Sequence, residues 1–397
     1  APWWGILLLV TGGLSGLFAI VFALSQRDLK RALAYSSIEN VGIITMGVGL
    51  ALLGRTCARP ELVLLGMSGA LLHVWNHGLF KALLFFNAGA IIHAGHTRDL
   101  EQMGGFAKNM PVSAALFLVG ALAICALPPL NGFVGEWYIY LGLFKTLATK
   151  TPEASLALAG GGAVALATIG ALAVVTFVKL YGAIFLGASR SSASATAHDP
   201  EISMLAPMFL LAGGCFFIGL LPMAVSPLLE KAVRCWMPLL DPAQKLALLA
   251  SPSGLASCNG ISLIALLVAG AWYLRARKKK IVGSGPTWDC GYLQPAAKMQ
   301  YTGTSFTQPL SKLFGFVLWP MIRFPALNFS PFPQKTEFQE VMPDTVLDRL
   351  VLPAFKMASR VVPKIYILQH GWTHIYVLYV LLMTLGLFIF GGVGGGL

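Results

Sequence analysis

Apolar residues run along this chain in long stretches, not in short alternating patches. The stretches occupy 3–25, 32–53, 62–93, 111–129, 132–148, 156–187, 203–222, 257–275 and 374–395. A helix needs about 20 residues to cross a bilayer core of ~30 Å, so runs of this length with few charges predict membrane-crossing helices. The fold class expected is all-α, a polytopic transmembrane helix bundle. The stretches at 62–93 and 156–187 are longer than one crossing requires, which predicts tilted helices or helices that extend beyond the core.

The pattern is interrupted between 111 and 148 by ALPPLNGFVGEW. Pro128 and Pro129 lack backbone donors, and Gly132 and Gly135 loosen the next stretch of chain. The interruption is either a tight turn between two helices or a break at membrane depth, which is tolerated only where it is buried in protein or lines a wet cavity. From 276 to 373 the chain is polar and Pro-rich, with amphipathic pieces at 309–327 and 345–361, and is expected to lie outside or along the membrane before a last anchor helix.

Composition supports this picture: 56% of the 397 residues are hydrophobic and 11% charged, where soluble domains carry roughly 25% charged residues. The net charge of +12 falls mostly in short loops between apolar runs, a placement that suits membrane topology and anionic headgroups and not nucleic acid. Orientation signals conflict. RARKKK (275–280) argues that its side is cytoplasmic, yet counting runs puts QRDLKR (26–31), Lys108 and Lys150 on the opposite side. The cysteines show no metal-ligand spacing and predict neither a disulfide framework nor a metal site. There is no basic n-region or cleavage site of a signal peptide, and the opening APWWGILLLV, without Met, reads as processed or fragmentary.

The candidate chemistry lies inside the apolar runs. In HVWNHGLFKALLFF, His73, His77 and Lys81 are spaced i, i+4, i+8, one stripe rising about 12 Å along a helix. A charged group at the bilayer centre costs at least ~2.5–3.5 kcal/mol, imidazole exchanges protons readily, and a buried lysine gives up its charge easily. Such a file suits a proton relay. Glu136, after the double proline, is either a carboxylate stabilised by a helix N-terminus or one that loads and unloads a proton beside the break. Lys179 could snorkel or join the path. Glu39, beside Asn40, could pair with a base across a helix interface or relay protons. AGGGAVALATIG (159–170) predicts a face for close helix packing. There is no GxSxG, HExxH, P-loop or dinucleotide fingerprint, no iron–sulfur cysteine pattern, and hence no cofactor and no catalytic centre expected in this chain.

Three long motifs in order, QRDLKRALAYSSIENVGIITMGVG (26–49), HVWNHGLFKALLFFNAGAIIHAGHTRDLEQMGG (73–105) and LPPLNGFVGEWYIY (127–140), resemble the antiporter-like membrane subunits shared by respiratory complex I, Mrp-type antiporters and membrane-bound [NiFe] hydrogenases. Glu39-Asn40 after AYSS and TWDCGYLQPAAKMQYTGTSFTQPL (287–310) resemble the large membrane subunit of hydrogenase-4 and formate hydrogenlyase, in its C-terminal part. The resemblance implies the second of two inverted five-helix repeats, with a broken helix and with the first repeat upstream of Ala1. It implies an antiporter-like core at 1–222, a further helix region at 223–275, a polar interfacial segment at 276–373 and an anchor at 374–397. Lys81 matches the central lysine of a half-channel, His73 and His77 the histidines along it, Glu136 the charged residue of the broken helix, and Lys179 a basic position. The function implied is translocation of protons, with Na⁺ as the alternative cargo, coupled to redox chemistry in partner subunits. The alternatives are a subunit of a cation/proton antiporter or of complex I, and a scaffold bundle. The partners implied are other membrane subunits, a peripheral [NiFe]-hydrogenase/iron–sulfur arm, the lipid bilayer and protons, in the inner (plasma) membrane of a prokaryote.

Overall fold

A computed structural model describes residues 3–147, 153–238, 243–278, 300–323, 339–365 and 371–393. Among these, six helices are long and apolar enough to cross a membrane, with shorter apolar helices at Pro111–Ile124 and Thr373–Ile389. The helices are α1 (Trp3–Ser25), α2 (Leu29–Thr56), α3 (Pro60–Gly95), α4 (Phe106–Asn109), α5 (Pro111–Ile124), α6 (Asn131–Leu147), α7 (Glu153–Phe185), α8 (Ser192–Thr196), α9 (Ile202–Leu220), α10 (Pro222–Trp236), α11 (Leu246–Ala250), α12 (Pro252–Lys278), α13 (Gly303–Leu313), α14 (Gly315–Leu318), α15 (Leu352–Ile365) and α16 (Thr373–Val393). Each apolar stretch of the sequence becomes one of these helices, so the chain is a polytopic helix bundle.

Two compact units divide at residue 316. In the second, a short antiparallel ribbon pairs β1 (Met321–Arg323) with β2 (Gln339–Val341). A wide helical turn at Leu347–Val351 leads into α15, and α16 comes after it. The amphipathic piece expected at 309–327 is instead the end of α13, α14 and β1, because Pro320 cannot continue a helix; the piece at 345–361 does form helix.

In the first unit, α1, α2 and α3 pack side by side, α3 also against α5, α6 and α9, and α1 against α7. Turn signals set their ends: Asp28 accepts the Arg31 N–H at 3.0 Å and caps α2, and Pro60 opens α3, where its missing N–H is not needed. The α1–α2 seam is backbone against backbone. A Cβ on Gly42 would meet Gly12 O at 2.6 Å and Gly16 N at 2.7 Å. The glycine-rich run in α7 is different: among the described residues Gly161 and Gly170 face nothing within 4 Å, and of this run only Gly162 is crowded, with Leu143 at 3.3 Å. The close-packing face expected there is therefore found on α1 and α2.

Loop contacts define two faces of this unit. On the first, Leu29 N donates to Arg98 O (3.0 Å) and Leu100 N to Arg27 O (2.9 Å), and Gly105 N donates to Leu186 O (2.9 Å). Val112 N and Ser113 N donate to Asp199 on the same side. On the second, the Arg59 guanidinium donates to Lys145 O (3.3 Å) and Arg55 lies over the Trp236 ring. Thus α5 starts at the first face and α6 ends at the second, making them one broken crossing and not two. The pair α9–α10 is likewise one crossing, kinked at Pro222.

α12 runs back antiparallel to that pair. Its Asn259 donates to Gly219 O at 2.6 Å, and the 19 residues from there to Lys278 rise about 28 Å, to the level at which α9 begins. Arg275–Lys278 therefore share the first face with QRDLKR and Lys108. The expected conflict of orientation signals came from counting the broken crossing twice. Lys150, Lys279 and Lys280, the segment 287–299 of TWDCGYLQPAAKMQYTGTSFTQPL and the closing 394–397 lie outside the described residues.

Candidate functional site

The break sits near the middle of α3. Asn76 Nδ2 donates to the carbonyl of Asn131 (2.8 Å), the first residue of α6. α5 ends at Ile124, Ala126 adopts a positive φ of 50°, and Pro128 and Pro129 bridge to α6. Hydrogen bonds within the bridge, Leu127 N to Leu122 O and Leu130 N to Leu127 O, close its own polar groups on themselves.

Around this break three helices contribute ionisable side chains that are withdrawn from the surface. Glu39 (1% exposed) comes from α2, His73 (0%) and Lys81 (5%) from α3, and Glu136 (6%) from α6. His77 is half-buried, with its ring edge-on to Phe80. The predicted stripe is real, but its members make different contacts. Lys81 Nζ reaches α2 and donates to Leu33 O (2.5 Å) and Ser36 Oγ (2.6 Å). His73 Nε2 lies 3.0 Å from Asn40 Oδ1, while His77 Nε2 has no hydrogen-bond partner among the described residues.

Glu39 is within electrostatic reach of both Lys81 and Glu136, yet among the described residues no ion pair joins any of the three. Residues that only glue helices together would be expected to pair, since an unpaired charge in low dielectric costs several kcal/mol. Glu136 stands five residues into α6, past the first turn, where the helix dipole has faded. Simple end-of-helix stabilisation does not account for it.

Lys179 belongs to another cluster. Its Nζ donates to Leu24 O and Gln26 O, both at 2.7 Å, closing the carbonyl end of α1 at the first face. Beside it Glu101 accepts from Thr304 Oγ1 (2.7 Å) and Thr304 N (2.8 Å), tying the start of α13 to the α3–α5 loop. Burial raises the Glu101 pKa, but hydrogen bonds from the Thr304 side chain and backbone and from Thr302, with the nearby Arg27 charge, outweigh it, so the carboxyl lies below its ordinary value. Arg190 completes the docking by donating to Tyr301 O (2.7 Å).

Sequence alone does not single out Asn76, Ser36 or Glu101. Asn76 is legible there as a polar residue one turn from His73. Ser36 and Glu101 carry no signal, because their partners are distant in sequence.

Two acids, one imidazole and an amine are thus buried around a broken crossing of a many-helix membrane bundle, with a second imidazole half-buried at its edge. Residues 1–150 match the family described as NADH:quinone oxidoreductase/Mrp antiporter, transmembrane, and the chain is similar to antiporter-like subunits. It is similar to hydrogenase-4 component B of Escherichia coli (strain K12), 37% identical over 393 residues, covering 95% of this chain and 57% of the relative. It is similar to formate hydrogenlyase subunit 3 of the same organism, 38% identical over 323 residues, covering 80% and 50%.

In fold it is similar to a chain of the membrane-bound sulfane sulfur reductase, an archaeal respiratory membrane complex. There the TM-score is 0.62 at 21% identity, covering 96% of this chain and 56% of that one. The chain thus spans about half the length of the curated relatives it matches. Two of these relatives are named as a component and a subunit and the third is a chain of a respiratory membrane complex; this chain, with six helices long and apolar enough to cross a membrane among the described residues, is a membrane protein.

Proposed function

We propose that this chain is the proton-carrying part of an energy-converting membrane subunit. The complex would be of hydrogenase-4/formate hydrogenlyase type, in which electron transfer in a peripheral [NiFe]-hydrogenase arm drives ions across a prokaryotic inner membrane. The observation that carries the reading is the set of buried groups without ion pairs, Glu39, His73, Lys81 and Glu136, beside the broken crossing, with His77 at its edge. Each can hold or release a proton, and each changes the electrostatic environment of the next, since like and unlike charges in low dielectric shift one another strongly.

Lys179 and Glu101 would serve the first-face end of the path, where α1 closes. By the excess of basic residues (Arg27, Lys30, Arg31, Arg98, Lys108, Arg190 and Arg275–Lys278), that face is assigned to the cytoplasm. Residues 1–222 would form the antiporter-like core, 223–275 a further helix region, 276–373 an interfacial segment and 374–397 an anchor.

The test is proton movement in membrane vesicles carrying the full-length protein in its complex. Lys81→Ala and Glu136→Gln are each expected to abolish movement while the complex still assembles; unchanged pumping in both would overturn the proposal. Co-purification with a nickel-containing subunit supports the hydrogenase reading, and recovery only with antiporter subunits would favour a cation/proton antiporter.

A further inference from the structure

The Asn40 carboxamide has its orientation set from its own helix. Its Nδ2 donates to Ser36 O (2.8 Å) and lies 3.4 Å from Glu39 Oε2. Both neighbours are acceptors, so they take the NH₂ side and leave Oδ1 for His73, 3.0 Å from Nε2. An amide oxygen can only accept. His73 Nε2 must therefore carry the hydrogen, and the lone pair of the neutral ring resides on Nδ1.

Nδ1 is buried, with no hydrogen-bond partner among the described residues. It faces Gly135: a Cβ there would stand 3.1 Å from Nδ1 and 3.1 Å from Asn76 Nδ2. The proton-accepting atom of His73 is thus aimed at the turn of α6 that carries Glu136, and glycine leaves that approach open. The ring's Nε2 edge faces Asn40 on α2.

We propose that Asn40 is a positioning residue that confines proton exchange at His73 to Nδ1, on the α6 side. The inference rests on the proton path proposed above. A proton arriving at the Nδ1 lone pair gives an imidazolium with hydrogen on both nitrogens. Asn40 Oδ1 is too weak a base to take the Nε2 proton, so a proton leaves again from Nδ1 and the ring returns to its starting tautomer. No other bond changes, and the ring charge goes from 0 to +1 and back. His73 therefore stores protons and returns them toward Glu136; it does not pass them through its ring to the Lys81 side. A protein in which Asn40 merely packed against His73 would have no need of a single tautomer.

The test is ¹⁵N solid-state NMR of the full-length, ¹⁵N-histidine-labelled protein in its complex in lipid, with His73→Gln identifying the signal. The expected spectrum shows neutral His73 protonated at Nε2 and bare at Nδ1, and Asn40→Leu should give a mixture of tautomers. An Nδ1–H ring in the unmodified protein overturns the proposal, whether or not the variant assembles, as does a single unchanged tautomer in Asn40→Leu. In Asn40→Asp a carboxylate can take the Nε2 proton, and the imidazolium fraction is expected to rise. The Nε2–H tautomer with proton movement insensitive to Glu136→Gln would defeat the proton path and leave the positioning of His73 standing. The opposite tautomer with movement lost in Glu136→Gln would do the reverse.

Discussion

Replacing Lys81 by methionine separates transport from stability, because the two should move independently. Methionine fills nearly the same volume without the charge. Two charge-assisted hydrogen bonds are lost, to Leu33 O and Ser36 Oγ, at about 1.5–3 kcal/mol each. Against this, the desolvation of a buried ammonium, several kcal/mol, is no longer incurred. Neither acceptor is left bare, since Ser36 Oγ still donates to Leu33 O at 3.0 Å. The two sums are of similar size, so stability should change by no more than ~2 kcal/mol in either direction.

On the proposed proton path, transport has no such compensation. Lys81 lies about 12 Å along the helix from His73, and a proton steps only between groups within hydrogen-bond reach or one water apart. Removing the station should slow translocation at least ~100-fold. The assay is dye-monitored proton uptake by inverted vesicles driven by the complex's own electron donor, with thermal unfolding and native gels measured on the same preparation. Uptake within about threefold of the unmodified protein, in an intact complex, would refute the reasoning. Joint loss of uptake and assembly would make Lys81 a structural residue.

The packing contrast is a second prediction. Gly42→Ala places a methyl against the backbone of Gly12 and Gly16 and should cost about 1–3 kcal/mol, lowering Tm. Gly161→Ala and Gly170→Ala, which meet nothing within 4 Å, should leave Tm unchanged. Glu101→Gln should loosen the start of α13 and speed limited proteolysis near residues 300–313. Because the folded-state pKa of Glu101 is depressed, its contribution is fully present above the ordinary carboxylate value of ~4.3. It is lost only as pH falls below that value through the depressed one, so protease resistance of this segment should persist to about pH 4 in the unmodified protein. Finally, in a background with the native cysteines replaced, Lys108→Cys and Arg275→Cys should be labelled from one side of the membrane and Lys245→Cys from the other. Labelling of Arg275→Cys together with Lys245→Cys would contradict the single broken crossing of α5 and α6.

Apolar patterning is enough to dictate the helices. Runs of apolar residues near bilayer length leave the backbone no way to satisfy its polar groups except within each segment, so α1, α2, α3, α7, α9, α12 and α16 are legible to within a few residues. The His73–His77–Lys81 stripe comes from helical periodicity, and the interruption at Pro128 and Pro129 from missing donors.

Depth and partnership are beyond the reach of the apolar pattern. Whether ALPPLNGF lies at a surface or mid-membrane depends on Asn76 reaching Asn131 from another helix, and the count of crossings, hence the sidedness of every basic loop, depends on that contact. The same holds for Lys179, which the run 156–187 places in a span like any other. Only the fold brings its ammonium to the carbonyl end of α1, 153 and 155 positions away in sequence. The glycine-rich run in α7 misleads for the same reason. A helix face is close-packed only when another backbone arrives at it, and tertiary structure brings α1 to Gly42 but nothing to Gly161.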